Sequence, residues 1–164
     1  MHRRKLLAAC LLSTLVQPLS AKESDLSEQV HRNAESAVKQ FQERAGGKLD
    51  YSVQSLQAVE ELLAEAADHR DSLRSATLDT LTELLGCYIL EVGYREHGGK
   101  FAWFEERKQP VLVVGEPAFH VAMITFGKVR GRLSGDRGDN IPFFYEGFSE
   151  RVRAAIPGTR ALYG

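Results

Sequence analysis

Leu84-Leu85-Gly86-Cys87-Tyr88-Ile89-Leu90-Glu91-Val92-Gly93-Tyr94 is apolar or small at nearly every position. A surface helix keeps its apolar residues on one stripe, so a segment apolar all round belongs to a helix enclosed on most sides. The periodic residues Leu73, Thr77, Leu81, Leu84, Leu85, Tyr88 and Val92 extend that helix over about Ser72 to Glu96. Gly86 and Gly93 are seven apart, hence on one face, and glycine costs about 1 kcal/mol inside a helix. The pair therefore predicts the close approach of another backbone.

Gly98-Gly99 ends the helix, and Phe101-Ala102-Trp103-Phe104 reads as a strand. Glu105 to Gln109 is a charged turn, and Pro110-Val111-Leu112-Val113-Val114 is a second, β-branched strand, which together predict a hairpin. Upstream, Leu26, Val30, Ala34, Ala37, Val38 and Phe41 recur at helical spacing from a cap at Ser24 or Asp25 to about Ala45, where Gly46-Gly47 stops the helix. A second helix starts from a cap at Asp50 or Ser52 and runs through about Ala67, with Val53, Leu56, Val59, Leu63 and Ala66 inward.

Downstream, Ala118 to Val129 fits both periods, and Phe119, Met123 and Phe126 after Pro117 favour a helix over a strand. Gly131 to Asn140 is a polar loop, Asn140 caps a last helix to about Ala155, and residues 159–164 read as a tail. This order predicts an α+β fold, a single domain with several helices packed on a small antiparallel β-hairpin or sheet. It is not the alternating order of a nucleotide-binding fold. The divisions are 1–21 as a signal peptide, 22–48 as an N-terminal helix and 49–164 as a compact α+β domain.

The length of 164 residues and 43% hydrophobic content suit one ordinary domain and not a disordered chain. Lys and Arg number 21 against 22 Asp and Glu, so the basic excess expected of a nucleic-acid binder is absent. Met1-His2-Arg3-Arg4-Lys5, the apolar run Leu6 to Val16 and Gln17-Pro18-Leu19-Ser20-Ala21 have the layout of a secretory signal peptide cut near Ala21. The apolar run is about half of the roughly 20 residues a spanning helix needs, which argues against a transmembrane anchor. Leu7-Ala8-Ala9-Cys10 is a competing lipidation box, disfavoured because only four apolar residues separate Lys5 from Cys10. The expected location is periplasmic or secreted. Cleavage removes three basic residues and no acidic one, leaving 18 basic against 22 acidic side chains. It also leaves Cys87 as the sole cysteine, which its apolar neighbours place in the core rather than in an intermolecular bond.

Glu91, between Leu90 and Val92, is the most informative charge. A carboxylate in apolar surroundings has a raised pKa and suits general acid–base work. The simpler reading pairs it with Arg95 four residues on. Tyr88, Glu91 and His97 are the weak catalytic candidates of an enzyme reading. His31, His69, His97 and His120 form no HxH, HExxH or HxxxH set, so neither a metal nor a cofactor is expected. His97 reads as a cation favoured by a helix C-terminus. Trp103, the one tryptophan, shares a strand face with Phe101, and the pair belongs either to the core or to an exposed platform for a partner. Asp136, Arg137 and Asp139 lie in the polar loop, whose spacing lacks the ligand pattern of a calcium loop and reads as a turn with a cap. The loop is a second candidate recognition surface.

Ser55-Leu56, Leu84 to Tyr88, Glu91-Val92, His97-Gly98-Gly99, Trp103, Pro117 and Asp139-Asn140-Ile141 together resemble a bacterial family of small exported α+β proteins of unknown function. In these a helix with a glycine and a glutamate leads through a glycine turn to a tryptophan strand. The resemblance spans roughly residues 50–150 and implies one compact domain but no activity, so no catalytic residue follows from it. The functional expectation is an exported, non-enzymatic protein-binding protein, in its concrete form an immunity-type inhibitor of a toxin. It would use Trp103, Phe101, Asp136, Arg137 and Asp139. The rival is a small hydrolase or ligand-binding enzyme centred on Glu91.

Overall fold

The computed structural model describes residues 19–164, with side chains from Lys22 onward. Leu6–Val16 and Cys10, on which the export and lipidation readings rest, lie outside the described residues. The elements run α1 (Leu19–Phe41), α2 (Leu56–Asp68), α3 (Ser75–His97), β1 (Lys100–Phe104), β2 (Gln109–Val114), β3 (His120–Met123), α4 (Phe126–Leu133), α5 (Ile141–Arg153) and β4 (Arg160–Tyr163). The fold is α+β, a single domain of five helices on a four-stranded mixed sheet. The strands stand in chain order; β1, β2 and β3 are antiparallel neighbours and β4 is parallel to β3.

Helix α3 is the axis of the packing. Every residue from Leu84 to Gly93 is buried. Helix α1 lies along it and buries Val30, Ala34 and Ala37 completely, so the N-terminal helix is part of the domain core rather than an appendage. On its other sides α3 meets α4 through Phe126, α5 through Phe148, and the inner face of the sheet through Leu112 and Met123. The inner face is set by register, with Phe101, Leu112, Met123 and Tyr163 in one row and Val114, Val121 and Ala161 in the next.

The predicted hairpin is present at 100–114. The turn into it requires glycine: at Gly99, with φ +101°, a Cβ would lie 2.3 Å from the Val113 carbonyl oxygen. Asn140 caps α5 by accepting a hydrogen bond from the Phe143 amide at 2.9 Å.

Three expectations are corrected. Ala118 to Val129 is not one helix: its first part is β3, which pairs with β2, and only from Phe126 is it helical. The strand prevails because β2 offers an apolar edge to pair with, a contact that local periodicity does not contain. Residues 159–164 are not a frayed tail. Arg160–Tyr163 adds a parallel strand, tied by the Ile124 amide to the Tyr163 carbonyl at 2.8 Å. The Tyr163 ring packs on Phe144 and Phe148 of α5.

The third correction concerns the two glycines of α3, which face side chains and not another backbone. A Cβ on Gly86 would lie 2.5 Å from the buried Phe126 ring, and one on Gly93 would lie 2.8 Å from the Met123 methyl and 2.9 Å from a Leu112 methyl. The space is used by the residues opposite.

A ring held on both sides yields less readily than a flexible methionine. Gly86→Ala is therefore expected to lower the unfolding free energy by about 1–2 kcal/mol, an overpacking cost of roughly 1–3 partly offset by helix propensity. Gly93→Ala should cost less than about 1 kcal/mol. Urea denaturation of both variants checks the order, and the reverse order would show that Phe126 is not the rigid neighbour.

Candidate functional site

Glu91 is buried, but its carboxylate is fully engaged. Oε2 lies 2.6 Å from His31 Nδ1 of α1, and Oε1 accepts from Arg95 Nε at 2.7 Å. His31 is wedged edge-on against Tyr94 and Phe101, with ring centroids at 5.6 and 5.5 Å. The Arg95 guanidinium stands 3.8 Å above the Tyr51 ring, which stacks on Tyr88. The Tyr88 hydroxyl bonds the Ser55 hydroxyl at 2.7 Å and accepts from the Tyr51 amide at 2.9 Å. Burial pushes the Tyr88 phenol up, away from the anionic form. Tyr88 and Glu91 thus meet through Tyr51 and Arg95, with Arg95 itself half-exposed. The arrangement ties α1, α3 and the 51–55 turn together; it presents no carboxylate to a substrate.

His97 is elsewhere, among Glu96, Tyr145, Ser149 and Arg153. Its Nε2 is 2.7 Å from Ser149 Oγ and 3.3 Å from Glu96 Oε2. The residue types are those of a nucleophilic triad, but the geometry is not. The carboxylate sits on the same ring nitrogen as the serine, where a triad places it on the opposite one. Ser149 is 1% exposed, and its Oγ also accepts from Arg153 Nη2 at 2.8 Å. Burial holds the His97 imidazole below its ordinary range, against the opposing pull of the Glu96 carboxylate. Glu96 accepts a hydrogen bond from the Tyr145 hydroxyl at 2.5 Å. These contacts fasten α5 to the end of α3.

Trp103 is 48% exposed, while its face-mate Phe101 is 2% exposed. Phe101 is therefore core and drops out of the binding set, and Trp103 is the exposed member of the pair. The strand accounts for the difference: Phe101 sits opposite Leu112 over the helices, whereas Trp103 is two residues further toward the hairpin turn, on the edge strand. Trp103 borders a cleft of about 280 Å³ between α1, α3, the hairpin and α4. Asp79 and Glu83, one helical turn apart on α3, supply carboxylates, and Lys108 and Arg130 supply cations. Asn33 donates to Glu83 Oε1 at 2.9 Å and reaches Cys87 Sγ at 3.8 Å. Cys87 is 1% exposed, and burial pushes its thiol up to about 12. It is a core residue whose sulfur is inert.

Sequence reading missed this cleft. Asp79 and Glu83 look like an ordinary solvated face, and Arg130 lies just beyond the segment Ala118 to Val129, in α4.

Gly131–Leu133 of the expected 131–140 loop is instead the last turn of α4, and the remainder is mostly spent on structure. Asp136 Oδ1 accepts from the Gly138 amide at 2.8 Å, and Asp139 Oδ1 accepts from Lys128 Nζ at 3.0 Å. Arg137 is exposed in the short helical turn between them. A buried carboxylate that sequence did not single out anchors the same region: Glu60 accepts from Arg132 Nε at 2.5 Å and from the Ile141 amide at 3.0 Å. Among the described residues, no three His, Cys, Asp or Glu side chains converge to hold a metal ion. No described helix is long and apolar enough to cross a membrane.

Glu91→Gln keeps the shape but removes the charge that two donors share. It is expected to cost about 1.5–3 kcal/mol of stability, the worth of hydrogen bonds to a charged group, with the helical circular dichroism retained. A variant as stable as the parent would show that the carboxylate is held for another purpose. Cys87 is expected to resist alkylation in the folded protein and to react once urea is added; peptide mapping of the labelled protein reads this, and rapid native labelling would place the thiol at the surface.

Compared with known proteins, the chain matches no family model, no curated protein and no solved structure.

Proposed function

We propose that this chain is an exported, non-enzymatic protein-binding protein, and that its concrete role is that of an immunity-type inhibitor which seats a toxin on the Trp103 cleft. The observation that carries the reading is the half-exposed Trp103, the sole tryptophan, standing at the rim of a cleft with carboxylates on one wall. Tryptophan covers a large area at low entropic cost and dominates binding energies where it meets a complementary pocket. A large apolar side chain in water at the rim of a charged cleft is poorly explained by folding alone.

Asp79 and Glu83 on the α3 wall favour a cationic side chain from the partner, which Trp103 would cover by cation–π contact. The acidic balance left after signal cleavage attracts a basic partner at long range. Arg130 continues the surface from the cleft toward a second depression with Arg70, Ser75 and Leu133. Arg137 in the following loop is the part of the predicted loop surface that faces solvent. The enzyme reading loses its basis in geometry, since Glu91 is saturated by His31 and Arg95 and Ser149 is buried.

The test is affinity capture from a native envelope extract with the purified protein, compared with Trp103→Ala and with Asp79→Asn/Glu83→Gln. One stoichiometric partner is expected, held less tightly at high salt. Trp103→Ala should weaken it by about 2 kcal/mol or more, roughly thirty-fold, as at other interface hot spots. Co-expression should then neutralise the partner's toxicity only with the parent cleft. A partner that binds the Trp103→Ala variant as tightly as the parent would end this reading.

A further inference from the structure

The sheet's second face is built unlike a face meant for water. Antiparallel sheets with one side solvated alternate apolar inward and polar outward. Here Ala102, Val111, Val113, Ala122, Ile124 and Leu162 all point away from the helices, forming a second apolar cluster separated from the main core by the sheet itself. Charge appears as Lys100, on the edge strand in the row of Val113, Ala122 and Leu162, and as His120 and Arg160 in the next row. Phe104 lies toward the other end, near the hairpin turn. Between them runs a groove of about 430 Å³, within the size range of small-molecule sites. Its floor is already covered: Val111, Val113 and Ala122 are each no more than 5% exposed, and the free apolar area is on the walls, where Leu162 is 54% exposed and Trp103 48%.

We infer that this groove binds one single-chain anionic amphiphile, a fatty-acid-like carboxylate whose chain lies against the exposed Leu162 and Trp103 walls and whose head meets Arg160. Charge complementarity selects the class. Glu116 engages both Lys100 Nζ and His120 Nδ1 at 2.8 Å, so one carboxylate serves two of the three basic groups. Among the described residues Arg160 has no ion pair, and its guanidinium has the fork geometry that suits a carboxylate. Size selects against a second copy of the chain. Four strands about 4.8 Å apart and about four residues long give a patch of roughly 250 Å². A stable interface takes about 800 Å² from each partner. The shielded floor also admits a slim chain more readily than another sheet. This site faces away from the helices, so it stands independently of the partner cleft, although Trp103 borders both.

That shared border supplies the probe. The purified protein is titrated with dodecanoate below its micelle concentration, read by Trp103 emission and by calorimetry. Saturable one-to-one binding with a blue shift is expected. Leu162→Asp should abolish it. Arg160→Glu should weaken it at least ten-fold while leaving the weaker binding of uncharged dodecanol unchanged. Both substituted residues are exposed, so circular dichroism should match the parent. Asp79→Asn, in the other cleft, should leave dodecanoate binding intact. The proposal is overturned by absence of saturable binding, by an Arg160→Glu variant that binds dodecanoate as the parent does, by a response to anionic vesicles alone, or by a dimer in sedimentation that Leu162→Asp dissociates.

Discussion

The middle of α3 cannot face water on any side, and the rest of the chain is arranged to satisfy that constraint. Ten consecutive residues, Leu84 to Gly93, are buried. A helix has a circumference of sides, and each needs a cover: α1 on one, the 51–55 turn on another, then the inner sheet face, α4 and α5. Burying such side chains is worth about 1.5–3 kcal/mol each for the large aliphatic and aromatic ones, which makes this helix a large favourable contribution. The two glycines let Phe126, Met123 and Leu112 come close enough to finish the enclosure.

Two carboxylates do for orientation what the apolar surface cannot. Hydrophobic contact is non-directional, so it leaves helices free to slide. Glu91 joins α1 to α3 through His31 and Arg95, and Glu60 joins α2 to α4 and to the first turn of α5 through Arg132 and the Ile141 amide. Each carboxylate is mostly removed from water and each has two donors, the condition under which burial of a charge is tolerated. His97, Ser149 and Glu96 fasten the far end of α3 to α5 in the same way. Groups that resemble catalytic sets in sequence or by proximity are the bolts of the helical layer.

The surface is where unsatisfied features accumulate. Trp103 stands at the edge of the sheet between two concavities of different character, one charged and one apolar. Neither stability nor solubility calls for a half-exposed tryptophan there, or for a sheet face with Val111, Val113, Ala122 and Leu162 across its middle. These two features set the functional readings apart from the interior polar clusters, which already have their partners.

Local chemistry determined much of this protein. The apolar character of Leu84 to Gly93 identified an enclosed helix, and Gly98-Gly99 and the β-branched run after Pro110 identified the turn and hairpin. Asn140 was legible as a cap, Cys87 as buried, and Glu91 as partnered by Arg95, because each depends on neighbours within a few residues. The strand at His120–Met123, the parallel strand at Arg160–Tyr163 and the His31 partner of Glu91 were not legible. Each is decided by residues 7 to 60 positions away in the chain, through pairing that local periodicity does not encode. The same holds for the split fates of Phe101 and Trp103. Alternation placed them on one face, but only the position of the strand at the sheet edge decided that one is enclosed by α1 and α3 while the other meets solvent.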